Sequence, residues 1–165
     1  MAVTSERTTE QGLTWCSFQV GKMCWKGPNI SRSILGGFVG TVAITMVMYV
    51  VAPMMLGQPM DIAAMLGSTL GDNWWAGMVT HFVNGTVIFP LIFSFLLFGV
   101  LPGSPAVKGI TWGVILWLLA QVVVMPMMGA GFFSANAGGL MAAIGSFLGH
   151  VVYGWLLGLI AGKPK

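Results

Sequence analysis

Four long apolar runs, parted by short polar or glycine-rich breaks, organise the chain: about Ile34 to Leu56, Trp75 to Leu101, Val107 to Phe132 and Leu140 to Ala161. Each is long enough to cross a hydrocarbon core, which takes about 20 helical residues. The runs are continuous rather than alternating every second residue, so they lack the period of a β-barrel strand. The expected fold is an all-α integral membrane protein, a four-transmembrane-helix bundle over residues 34–162. A cytoplasmic or interfacial segment, residues 1–33, precedes it.

Composition agrees. Only 7% of the 165 residues are charged, against about 25% in soluble domains, so lipid must cover much of the surface. Membrane lipids are therefore expected partners, with bound lipid retained. The formal charge of +3 is not gathered into a basic face, and no nucleic acid is expected to bind. Arg7, Lys22, Lys26, Arg32, Lys108, Lys163 and Lys165 all fall on one side of the four runs, while the other two loops hold no Lys or Arg. The positive-inside rule then puts both termini in the cytoplasm. The expected location is a bacterial inner membrane, multi-pass, N-in and C-in, with Trp74, Trp75 and Phe132–Phe133 at the outer interface.

Residues 1–11 are polar and no apolar h-region follows them, so they do not read as a signal peptide. Residues 12–27 mix Leu13, Trp15, Phe18, Val20, Met23 and Trp25 with lysines, a pattern that predicts a short interfacial helix. On such a helix Cys16 and Cys24 stand roughly 12 Å apart, too far for a disulfide, and inert thiols are expected. In the loop after the first span, DIAAMLGSTLG predicts a brief surface helix.

The two halves resemble each other. Gly36, Gly40, Val50, Val51, Pro53, Met54 and Met55 recur as Gly109, Gly113, Val123, Val124, Pro126, Met127 and Met128, at an offset of 73 residues. His81-x-x-x-Gly85 and His150-x-x-x-Gly154 match once a four-residue shortening is allowed. Both first members run outward, so the expected internal repeat is parallel, two similar hairpins about an axis along the membrane normal. Gly36, Gly40, Gly109, Gly113, Gly145, Gly149, Gly154 and Gly158 supply small residues four apart, where helices in lipid gain most from close approach.

His81 and His150 are the sharpest candidates for chemistry, because ionisable groups inside spans are costly and default to a function. Two imidazoles from facing helices suit a haem b in a bundle core, although a depth offset of roughly four residues, about 6 Å, strains that fit. They also suit a proton or small-metal role, or simple hydrogen bonds to Asn84, Thr80, Gln121, Tyr153 or a backbone carbonyl. Met54, Met55, Met127 and Met128 offer soft thioethers for Cu(I), or merely flexible packing. Pro90 is expected to kink the second span and free a carbonyl near position 86, which Thr86 recaptures. No Asp, Glu, Lys or Arg lies deep in a span, and P-loop, HExxH and CxxC motifs are missing, so no enzymatic activity is expected.

The segments GGFVGT, MVMYVVAPMMLGQPMDIAAMLGS, HFVNGT and VVVMPMMGAGFF resemble a family of small uncharacterised four-helix bacterial membrane proteins, the YagU-like, domain-of-unknown-function type, over about residues 34–160. The resemblance implies the fold and topology and carries no catalytic or binding residue. The leading expectation is a non-catalytic accessory subunit of a larger bacterial inner-membrane complex, respiratory or photosynthetic, with other transmembrane subunits as partners. A haem b electron carrier using His81 and His150 is the first alternative. A small transporter or copper-handling protein is the second.

Overall fold

The computed structural model describes residues 18–20, 23–25 and 28–162. Along it run α1 (Ile30–Met54), α2 (Ile62–Ser68), α3 (Trp74–Leu97), α4 (Pro105–Met127) and α5 (Gly139–Ala161). Among the described residues α1, α3, α4 and α5 are the four helices long and apolar enough to cross a bilayer. The brief helix expected in DIAAMLGSTLG is α2. The interfacial helix expected over residues 12–27 is not what its described residues form. Phe18–Val20 (β1) pairs antiparallel with Met23–Trp25 (β2), Gln19 opposite Cys24, in keeping with the β preference of Phe, Val and Trp. Cys16 lies outside the described residues.

Caps rather than hydrophobicity set the boundaries. Asn29 accepts the Arg32 N–H at 3.3 Å and starts α1 four residues before the apolar run does. Asp61, Asn73 and Ser104 cap α2, α3 and α4 in the same way, each side-chain oxygen taking an N–H that the first turn leaves unpaired. α4 stops at Met127, short of the expected Phe132, because Gly129 and Gly131, both at φ 75°, turn the chain away.

Three in-span prolines reshape their helices. Val47–Val51, Asn84–Ile88 and Ala120–Val124 are π turns, each ending two residues before Pro53, Pro90 or Pro126. Proline lacks an N–H and crowds the preceding turn, and widening that turn to i→i−5 bonding relieves both problems. The first and third π turns lie at positions that the 73-residue offset superposes. Around Pro90 the outcome differs from the expected recapture by Thr86. Phe89 N–H already bonds Asn84 O, so in this register Pro90 leaves Gly85 O without a donor, and the Tyr153 hydroxyl of α5 supplies one at 2.7 Å. The Thr86 hydroxyl has no partner among the described residues. Tyr153→Phe should therefore destabilise the fold by about 1–3 kcal/mol, the cost of an unsatisfied buried carbonyl. Unfolding in mixed micelles measures it, and a wild-type midpoint would refute this role.

In space the long helices follow the order α3, α1, α5, α4. Glycines bring them together. A Cβ on Gly36 would lie 3.2 Å from Leu157 Cα, and one on Gly40 only 2.8 Å from Tyr153 Cδ2, so α1 rests on α5. Gly149 meets Ile44 on the same seam. On the other side Gly109 and Gly113 abut Gly154, Gly158 and the His150 carbonyl, leaving no room for a side chain between α4 and α5. Gly145 has only Met60 Sδ near it, at an ordinary 3.9 Å, and takes no part in either seam. Gly37 is pressed against Pro90 and Gly85 and seats α3 on α1.

Both small-residue faces thus converge on α5, and no such face joins α3 to α4. These two helices meet mainly where Phe93–Leu97 reaches α4, with Phe89 edge-on to Trp112 at 6.4 Å. A strict two-fold relation between the halves would pair α3 with α4 as α1 pairs with α5. The chain departs from it there, and a cleft results.

Candidate functional site

The cleft deepens into a cavity of about 140 Å³ that all four long helices line. Thr41, Ile44 and Met48 of α1 and Ser146, His150 and Tyr153 of α5 form its back, and His81, Asn84 and Phe89 of α3 face Leu116, Leu119 and Met125 of α4. Several of these residues, among them Met48, Asn84, Gly85, Ala120 and Val124, sit on the π turns. Such turns recur at functional sites.

His81 and His150 border this one cavity. Their partners fix how each ring presents itself. The Thr45 hydroxyl donates its one hydrogen to Thr41 O at 2.7 Å, so toward His81 Nε2, 3.0 Å away, it accepts. As a neutral ring His81 then carries its proton on Nε2 and a lone pair on Nδ1. His150 Nδ1 lies 2.8 Å from Ser146 O, and a carbonyl only accepts, so its proton is on Nδ1 and its lone pair on Nε2. Neither lone-pair nitrogen has a hydrogen-bond partner among the described residues. The Asn84 carboxamide, also at the cavity wall, adds a donor and an acceptor. Of the partners expected from sequence, the backbone carbonyl is the one His150 takes, at Ser146, whereas His81 pairs with Thr45 rather than with Asn84, Thr80, Gln121 or Tyr153. Thr45 lies one helical turn from the cavity residue Thr41, and Ser146, a cavity residue, lies one turn before His150, which is the signal that marks them.

The paired methionines fall elsewhere. Met54 is 84% exposed and Met127 77% exposed, both facing away from the cavity; Met128 does not line it, and the side chain of Met55 lies outside the described residues. A soft-ligand site built on the PMM segments is therefore displaced, because these segments form the last turns of their helices, beyond the cavity. The thioethers that do reach the cavity belong to Met48 and Met125, each buried. Among the described residues no three His, Cys, Asp or Glu side chains gather as a metal cluster. Gln121 points into a separate polar contact, accepting from Ser134 Oγ at 2.9 Å.

α2 roofs the cavity with Ile62 and Leu66, one turn apart on one face. Asp61 pins the roof. Its carboxylate accepts from the Tyr49 hydroxyl of α1, from the Trp74 indole N–H of α3 at 3.1 Å and from Ala64 N–H at 2.9 Å. Burial works to raise the Asp61 pKa, but these hydrogen bonds, led by Tyr49, outweigh it and hold the carboxyl below the usual carboxylate range. Gly77 of α3 admits the Ala63 carbonyl and Gly67 N–H so closely that any side chain there would push α2 off. Asp61 is also the N-cap of α2. Its place before an apolar i, i+4 pair is the cap signal that identifies it.

What this arrangement can do is hold a small, mainly apolar guest and offer it two ring-nitrogen acceptors and an amide. No curated protein and no solved structure matches the chain. One family does: its model covers residues 28–163, all the long helices included, and the chain belongs to that family, the family of unknown function DUF6789.

Proposed function

We propose that this is a multi-pass protein of a bacterial inner membrane, N-in and C-in, whose non-catalytic role is to hold a small lipophilic ligand in the two-histidine cavity. One observation carries the reading: His81 Nδ1 and His150 Nε2 are both left as free acceptors at one cavity. A cavity with mostly apolar walls and a few convergent polar groups is the usual form of a small-molecule site. The positive-inside distribution of Lys and Arg supports this topology, in which α2 would lie on the outer face. The resemblance to YagU-like proteins adds no residue role.

Phenol is the simplest probe. The protein in nanodiscs should bind it saturably, and His81→Phe/His150→Phe should weaken binding about tenfold, the loss expected for the one hydrogen bond that a phenol hydroxyl donates at a buried site. Binding that is indifferent to both histidines would sink the reading. The haem alternative requires the about 140 Å³ cavity to open well beyond its present size; a Soret band that survives purification would favour it. The copper alternative shifts to Met48 and Met125 beside the histidines.

A second reading concerns context. Beyond the four long helices the residues 28–162 form only α2 and short turns, so among these residues little mass lies outside the long helices to do work alone. This supports an accessory subunit of a larger respiratory or photosynthetic complex, and companion chains recovered at fixed stoichiometry in mild detergent test it.

A further inference from the structure

The cavity has a side as well as a roof. α2 closes it at one end with Ile62 and Leu66, and Phe89, backed edge-on by Trp112, closes it at the other. Between α3 and α4 no close helix contact seals it, and Leu119, a wall residue, is 48% exposed. That opening faces the surface where lipid chains lie. A guest therefore reaches the cavity sideways, out of the bilayer, and can leave an apolar tail in lipid.

Size and polarity narrow the guest further. An apolar cavity of about 150 Å³ takes one benzene ring, and the cavity here is about 140 Å³. Its two histidines present acceptors, so the guest must bring hydrogens to them; an acceptor-only ring would leave two lone pairs facing oxygen, which is unfavourable. Asn84, on the α3 wall, can serve either polarity and does not reverse this preference.

We infer that the cavity receives the ring of a membrane-borne hydroquinone, its hydroxyls donating to His81 Nδ1 and His150 Nε2 while its tail leaves between α3 and α4. This rests on the proposal that the cavity is a ligand site, and it deepens that proposal by naming the ligand class. No electron or proton transfer is implied by binding alone.

The test is titration of the full chain in nanodiscs, under reducing conditions, with a short-tailed hydroquinone and, without reductant, with the quinone of the same ring and tail. The hydroquinone should bind at least about tenfold tighter than the quinone, since a site that hydrogen-bonds a hydroxyl rejects the analogue lacking it. His81→Phe or His150→Phe should shrink that ratio toward one, because each removes one acceptor. Equal affinities, or preference for the quinone, overturn the inference. If phenol binds in a histidine-dependent way while both ring compounds fail, the ligand site stands and the hydroquinone assignment falls. If neither phenol nor hydroquinone binds, both fall together. Tailless hydroquinone binding with rejection of the tailed form would overturn the lateral route. Stoichiometric Cu(I) uptake that is lost in Met48→Leu and Met125→Leu would overturn the assignment in favour of a metal.

Discussion

Gly154→Ala is expected to destabilise the bundle by about 1–3 kcal/mol, with Gly154→Leu beyond that range. A methyl at this position would run into the Gly109 carbonyl and lie 2.9 Å from Gly113 N, and both obstacles are backbone. A side chain can rotate away; a helix backbone must move as a whole. In lipid the seam has no hydrophobic drive to restore it, because separated helices meet lipid tails as readily as each other, so lost close contact is lost stabilisation. The consequence reaches the site. Gly113 rests on the His150 carbonyl, so parting α4 from α5 also moves Leu116 and Leu119 away from the imidazoles. SDS-induced unfolding of the purified protein should show a lowered midpoint for Gly154→Ala, with phenol binding weakened in parallel. Gly99→Ala is the control, since nothing lies within 4 Å of its added methyl, and it should stay within about 0.5 kcal/mol of wild type. Equal stability of the two variants would mean that this seam does not hold the bundle.

How much of this was legible in the residues depends on the range of the interaction. The long helices follow from local hydrophobicity, and their number and approximate places agree with the apolar runs. Their ends were misplaced by up to about five residues, because Asn29 and Ser104 caps extend a helix into polar sequence and Gly129 cuts one short inside apolar sequence. The histidines stood out because an ionisable side chain in a span is conspicuous. Their shared cavity did not, because it comes from which helix each small-residue face chooses. Gly36 and Gly109 look alike in sequence, yet both turn to α5, and the α3–α4 side is left open by default. The π turns were equally hidden. Proline announces a disturbance, but where the freed carbonyl finds its donor is set by the tertiary fold, as Tyr153 of α5 serves Gly85 and Met60 N–H serves Met48. The PMM segments misled for a related reason. A repeated motif draws attention to itself, while the thioethers that reach the cavity, Met48 and Met125, are not repeat-related.

Asp61→Ala is expected to release the roof. The substitution removes the acceptor for Tyr49, Trp74 and the Ala64 N–H together, and leaves a phenol and an indole without their partner. Local opening of α2 should become easier by about 1–3 kcal/mol, the range for loss of hydrogen bonds to a charged group that remains partly in contact with water. Because α2 shares little with the α1–α5 and α4–α5 seams, the global unfolding midpoint should change less than the local one. Hydrogen exchange at Met65 and Leu66 N–H and the emission of Trp74 separate the two. The same roof should respond to pH, and the sign follows from the depressed folded pKa of Asp61. The folded state favours the carboxylate, so its contribution is complete above the unfolded carboxylate value of about 3.9. It is lost as pH falls from there through the lower folded value, where the protonated carboxyl no longer accepts three hydrogen bonds. Exchange at α2 should therefore be pH-independent in its opening term from neutrality down to about pH 4–5 and rise below it, and Asp61→Ala should abolish the rise. If α2 opens no more readily in Asp61→Ala than in wild type, the carboxylate is not what closes the cavity, and the packing of Ala63 and Gly67 against Gly77 must suffice alone.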